Sequence, residues 1–409
     1  MATMSSQLRM FRQDGDPATI GHPYVPILLA KQGERMALER MPEEVWDSIT
    51  PCIRIVPPEL RDRSEADPPP EEIGRLARAA RDHVVYLDPV GAPRRRRRIA
   101  PLGAPYVRQV YEAAIASDLA FAPVYPFHRR DLARTTVAFT SDVVGAAVLV
   151  PKGEAISWGS SRLDIELREE VRSLGIEPAR LDALVDLGYI SADANDVASV
   201  VWLVRQVANA APWRSVILAG TSIPDSLSTE IPDDSLNAIE RRERSLFDAV
   251  QAQVEYPLRY GDYAVQHPVP PATGAVPKMR ASIRYTAGDF TFVSRGGQPI
   301  GEMARDQVPS EYQRLATRLY LHPPFERSEC CWGDRFIEEL AGGTRIARGQ
   351  HTMRAVATCH HLTVVARERS RVSAPEAIPT QTATPVVSRR TRSGAGRPRS
   401  TSTGPRPVR

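Results

Sequence analysis

Only three lysines, Lys31, Lys152 and Lys278, stand among the 53 basic residues of this chain. Their scarcity matters because a desolvated lysine can lose its proton and act as a base or form an imine, which arginine cannot do. Lys31 and Lys152 follow short apolar runs, as do Asp88, His128, Asp186, Tyr189, Ser222, Asp262 and Tyr263. Carboxylates gathered at one point can bind a hard cation or divide acid and base roles. Each residue type also has a plainer use. An aspartate after a strand often caps the next helix, and a surface lysine often pairs with a carboxylate. The stretch 259–268, RYGDYAVQHP, is the hardest to dismiss. There Gly261 permits close backbone approach, while Asp262 and Tyr263 supply an acceptor and a donor.

The elements that must position these groups are legible in the hydropathy pattern. Eight apolar runs begin near Val25, Cys52, Val84, Phe121, Ala146, Asp182, Ser215 and Tyr260, at intervals of 25 to 45 residues. That is the rhythm of strand–helix units in a (β/α)₈ barrel. The runs are continuous rather than alternating, as parallel strands buried under helices require. Between them Ile73, Leu76, Ala77 and Ala80 share one helical face, and so do Val107, Val110, Tyr111 and Ala114. An open doubly wound sheet is the rival arrangement, and eight successive units favour the barrel.

The expected architecture is therefore α/β: a polar leader over 1–21, then a TIM-like (β/α)₈ barrel over 22–268. An α+β extension over 280–367, containing a hairpin at 283–294, packs on the barrel, and a disordered basic Ser/Thr/Pro/Arg tail fills 370–409. Side chains at the C-terminal strand ends converge on one mouth, so Lys31, Asp88, Lys152, Asp186, Tyr189, Ser222, Asp262 and Tyr263 are the ligand-binding candidates. A closed barrel pairs its first strand with its last, which predicts Lys31 and Asp262 as a neighbouring charge pair.

Composition narrows the function. The net charge is +4, but eight Arg and one Glu from residue 370 onward give that segment +7, leaving 4 − 7 = −3 for the rest. Basicity thus belongs to the tail, where Gly396, Arg397 and Pro398 make a single minor-groove-like hook, and attraction to nucleic acid is expected to be weak and nonspecific. Arg94–Arg98 form five consecutive arginines, read as a solvated loop. No run has the roughly 18 apolar residues of a membrane span, no signal-like apolar segment opens the chain, and four cysteines are too few for a disulfide framework. A cytoplasmic protein without a membrane partner is expected. Cys330, Cys331, Cys359, His360 and His361 lack the spacing of the usual zinc motifs, so no metal site is expected. GTSIP at 220–224 reads as a strand-to-loop turn rather than a phosphate cradle. No cofactor and no catalytic residue is assigned.

Several segments together resemble the Beta protein family of phages, satellite phages and bacteria: YVPILLAKQGERMAL, PCIRIVPP, LVDLGYI, WRSVILAGTSIP, YGDYAVQHP, IRYT, WGDRFIEELAGG and CHHLTVVA, covering about residues 24–366. Arg54 departs from the pattern, standing where an acidic residue is common. The resemblance implies an accessory or antitoxin-like element of a phage-defence or toxin-control locus, with a toxin-like protein partner encoded nearby, acting by binding that partner or a ligand at the barrel mouth. The residues themselves leave open a barrel enzyme acting on a phosphorylated or otherwise anionic small molecule.

Overall fold

A computed structural model of the chain describes residues 20–55, 69–89, 103–142, 144–157, 162–192, 196–269, 279–323, 325, 331–347 and 349–373. The expected tail from 374 onward, the leader up to residue 19 and Arg94–Arg98 lie outside the described residues.

Seven apolar runs form strands β1 (Tyr24–Leu29), β2 (Cys52–Arg54), β3 (Val85–Asp88), β4 (Phe121–Pro126), β5 (Ala146–Pro151), β6 (Leu181–Tyr189) and β7 (Ser215–Thr221). Residues Leu236–Glu240 make β8, which lies outside the barrel, and Leu258–Asp262 make β9, the eighth barrel strand. Every barrel pairing is parallel, and β9 closes the ring between β7 and β1, with Pro26 in register with Asp262. The connecting helices include α1 (Gln32–Arg40), α2 (Glu43–Trp46), α3 (Pro69–Ala80), α4 (Ala104–Ala116), α5 (Ala133–Ala138), α6 (Lys152–Ser157), α7 (Leu163–Leu174), α8 (Val197–Ala210) and α9 (Arg242–Gln251). The faces read from spacing are the buried ones: Ile73, Leu76 and Ala80 on α3, and Val107, Val110 and Tyr111 on α4. One apparent helix after Gly33 is two, because Pro42 cannot donate into the first and instead caps the second.

Pleat parity sorts the strand residues into two cores. Val25, Cys52, Tyr86, Leu184 and Ile217 point into the barrel. Their sequence neighbours Tyr24, Ile53, Val85, Ala183 and Val216 point outward and pack with the helices. The barrel is thus filled by side chains, as an eight-stranded ring requires.

The segment Leu236–Glu240, between barrel strands β7 and β9, forms a strand outside the barrel. With only Ile239 buried it carries no apolar signature, and its pairing is through the backbone to β11 (Phe290–Pro299), itself antiparallel to β10 (Arg280–Ala287). This three-stranded sheet packs on α10 (Gln307–Tyr320), α11 (Trp332–Ala341) and α12 (Gln350–Ser373) around a separate apolar core that includes Ile283, Tyr312, Leu315 and Ile337. Helix α12 serves both cores. Met353 and Val356 belong to the extension, whereas Leu362, Val365 and Ala366 join the layer outside the barrel.

Candidate functional site

At the C-terminal end of the barrel the inward positions of β2, β3 and β6 are charged. Arg54, at the end of the three-residue β2, is fully buried. Its Nε donates to Asp88 Oδ2 at 3.0 Å and its Nη2 donates to Asp186 Oδ2 at 2.9 Å. Its Nη1 donates to the Tyr263 hydroxyl, which in turn donates to Asp186 Oδ2 at 2.6 Å. Asp186 Oδ1 accepts from Gly188 N at 2.9 Å, a turn in which Gly188 has φ +65°. One guanidinium therefore holds together two carboxylates and a phenol from β2, β3, β6 and the residue after β9.

Electrostatics follow from that packing. Burial alone would lower the Arg54 pKa, but Tyr263, Asp186 and Asp88 outweigh it and hold the guanidinium charged. Burial pushes the Tyr263 phenol well above its ordinary pKa, Arg54 opposes this, and Asp186 adds to it. Tyr263 thus stays a neutral donor.

Of the residues singled out from sequence, Asp88, Asp186 and Tyr263 meet here, around an arginine that sequence reasoning passed over. The signal was available: a lone charge inside the apolar run PCIRIV is a residue that folding must pair. Lys31 is the partly buried N-cap of α1. Lys152 opens α6 and lies near Asp196, the residue capping α8. Tyr189 is at the surface, its hydroxyl 3.0 Å from Glu230. Ser222 is buried and engaged on both sides, donating to Glu243 at 2.6 Å and accepting from Arg242 N at 2.8 Å. The His128 backbone N–H donates to Glu170 Oε1 at 2.7 Å.

The expected Lys31–Asp262 pair does not form. Asp262 is level with Pro26, five residues before Lys31, and its parity turns it out of the barrel. Its Oδ1 accepts from Tyr24 Oη at 2.7 Å and Ala264 N at 2.9 Å, and its Oδ2 lies 2.9 Å from His361 Nε2 on α12. Burial would raise the Asp262 pKa, but His361, Tyr24 and Arg241 bring it below the ordinary value. Asp262 is a tie between the barrel seam and the last helix, not a mouth residue. Gly261 faces inward instead, and a Cβ there would sit 2.7 Å from Ala219 Cβ and 3.0 Å from Val25 O.

A second polar layer closes the opposite end of the barrel. Tyr86 donates to Asp182 at 2.6 Å, Arg214 grips the same carboxylate, and Arg259 donates to Tyr86 Oη at 3.0 Å.

With the geometry in place, the comparisons can be set beside it. The Beta protein profile matches residues 24–367, from β1 through most of α12. The chain belongs to the Beta protein family. The match spans barrel and extension together, so the Arg54 cluster and the Asp262–His361 tie both lie inside the family's extent. No curated protein sequence matches the chain. Among solved structures, a multifunctional pyruvate carboxylase from Rhizobium etli aligns at 8% identity and TM-score 0.34, over 59% of this chain and 23% of that one. A triosephosphate isomerase from Bartonella henselae aligns at 11% identity and TM-score 0.28, over 60% of this chain and 94% of that one. The Beta chain therefore spans about a quarter of the carboxylase. Likenesses this distant carry no argument about chemistry, and the barrel stands on its own strand pairing. Among the described residues no helix is long and apolar enough to cross a membrane.

Proposed function

We propose that this Beta protein is an accessory or antitoxin-like element of a phage-defence or toxin-control locus that binds a partner protein or ligand at the C-terminal end of its barrel. The observation that carries the reading is the Arg54–Asp88–Asp186–Tyr263 cluster. It lies at the end where barrels hold their ligands, and its four side chains orient one another before any ligand arrives. An enzyme for phosphorylated or anionic small molecules is less well supported, because the Ser222 hydroxyl is already committed to Glu243 and α9.

The test is growth relief. The chain is co-expressed with each neighbouring gene whose product arrests growth, as wild type and as Tyr263→Phe, which removes one hydroxyl and no charge. Relief by wild type and its loss in a variant with unchanged thermal stability is the expected result. Full relief by the folded variant would remove the mouth from the binding reaction, and no arrest-and-relief pair at the locus would remove the toxin-control reading.

A further inference from the structure

Outside the barrel, helices α11 and α12 bring three metal-ligating side chain types to one buried point. Cys331 caps the start of α11, Asp334 lies one turn on, and His360 faces them from α12. Cys331 Sγ is 3.3 Å from Asp334 Oδ2, and His360 Nδ1 is 3.0 Å from Asp334 Oδ1. One ligand atom from each residue lies within 4.8 Å of the others, and all three residues are buried. The close approach is built in at Gly333, where a Cβ would meet Val356 O at 2.5 Å, so α11 can rest on α12 only with glycine there.

Two details point to an occupant. His360 Nε2 lies 2.7 Å from the Thr286 carbonyl, an acceptor only, which fixes a proton on Nε2 and turns Nδ1 towards Asp334 and Cys331. Although Nδ1 and Asp334 Oδ1 are near enough for an ion pair, neither makes a hydrogen bond in proper geometry, and both are sealed from water. The short contact is thus proximity of charge without a satisfied donor and acceptor. A cation between them would satisfy both atoms. The Tyr285 ring stacks on His360 at 4.0 Å and holds the imidazole plane.

We propose that Cys331, Asp334 and His360 bind a divalent transition-metal ion of the zinc class, clamping α11 to α12 and the β10 strand. Thiolate with imidazole selects against magnesium and calcium, and the carboxylate completes three ligands, leaving one position for a small fourth ligand. The pair expected from sequence to be inert thus splits. His360 ligates the ion, whereas His361 turns to Thr286 and Asp262. The competing occupant is a proton, which would make the same trio a plain buried ion pair with a thiol beside it.

Cobalt distinguishes the two. Full-length chain stripped with chelator under reducing conditions is titrated with Co²⁺. Binding of one equivalent, with a near-ultraviolet thiolate-to-cobalt charge-transfer band that Zn²⁺ abolishes and Mg²⁺ or Ca²⁺ does not, is the expected result. Cys331→Ser removes the band, Asp334→Asn and His360→Gln weaken binding at least tenfold, and Cys52→Ser, Cys330→Ser and Cys359→Ser retain it. Should Cys331→Ser fail to fold, wild type in mild denaturant decides: Zn²⁺ protects Cys331, but not Cys52, from alkylation read by peptide mass. No cobalt band in the folded wild type, a band that survives Cys331→Ser, or equal alkylation with and without Zn²⁺ overturns the proposal.

Discussion

Replacing Arg54 with Met is the sharpest physical test of the barrel centre. The substitution keeps an unbranched apolar stem but deletes the guanidinium that bridges Asp88 and Asp186, whose Oδ2 atoms lie 3.0 and 2.9 Å from it. The partners are 0% and 9% exposed at the side chain, so water cannot screen what remains. Removing one partner of a buried ion pair typically costs about 3–5 kcal/mol, mostly from the charge left behind. With an unfolding entropy of about 2.1 cal/mol/K per residue over roughly 350 residues, that loss lowers Tm by about 4–7 °C.

The decisive comparison is the triple variant Arg54→Met, Asp88→Asn, Asp186→Asn. If the penalty comes from carboxylate charge that the guanidinium no longer balances, neutralising both aspartates recovers most of the loss, although each single Asn change in the wild-type background is destabilising. Thermal and urea melts at neutral pH measure both losses. An Arg54→Met chain within about 0.5 kcal/mol of wild type, or a triple variant no more stable than the single, would refute the reasoning.

Other expectations are equally direct. Burial raises the Glu243 pKa, with Arg241 and Ser222 opposing, so its contribution is full below the unfolded pKa and is lost as pH rises through the folded one; Glu243→Gln should gain on wild type between pH 4 and 8 in thermal melts. Asp262 is depressed instead, because His361, Tyr24 and Arg241 outweigh burial, so its stabilisation is present above the unfolded pKa and lost as pH falls through the folded one. Asp262→Asn should cost about 1–3 kcal/mol near neutral pH and flatten the acid limb of the stability curve. Gly333→Ala must push a Cβ against Val356 O, with an expected loss of about 1–3 kcal/mol in urea melts and a parallel loss of cobalt affinity. A chain ending at residue 349 lacks α12 and should fail to give a cooperative transition, while one ending at 373 retains it.

Much of the barrel was readable because each strand is a short apolar run with its own boundary signals. The eight observed barrel strands begin within two residues of the runs seen in the sequence. What failed was parity. Asp262 and Tyr263 were both assigned to the mouth, yet consecutive strand positions face opposite sides of a sheet, and only Tyr263 points inward. The same alternation, applied to Cys52, Ile53 and Arg54, would have placed Arg54 beside Asp88 and Asp186. Strand β8 was hidden for a different reason: an edge strand with one buried side chain gains its stability from backbone pairing with β11, which leaves little trace in composition. The Cys331–Asp334–His360 trio escaped because motif spacing counts Cys and His, whereas the third side chain here is an aspartate one helical turn from the cysteine.

The mouth cluster, the Asp262 tie and the Cys331–Asp334–His360 trio are connected through shared residues. Asp262 leaves the barrel wall at the β9–β1 seam, binds Tyr24 on β1, and reaches His361 on α12. His361 meets the Thr286 hydroxyl, and the carbonyl of that same residue fixes His360, the proposed metal ligand. One residue further along the chain from Asp262, Tyr263 enters the barrel and binds Arg54 and Asp186. Two adjacent side chains thus face the mouth cluster and the extension from opposite sides of one strand end. A shift of that strand end would move both together, because neither side chain can follow its partners without the other. That coupling gives the extension a physical route to the mouth. It predicts that occupancy of the Cys331–Asp334–His360 site changes the stability penalty of Tyr263→Phe, which a double-mutant cycle between Tyr263→Phe and His360→Gln measures directly. Additive losses within about 0.3–0.5 kcal/mol would mean that the two sites are independent despite their shared strand.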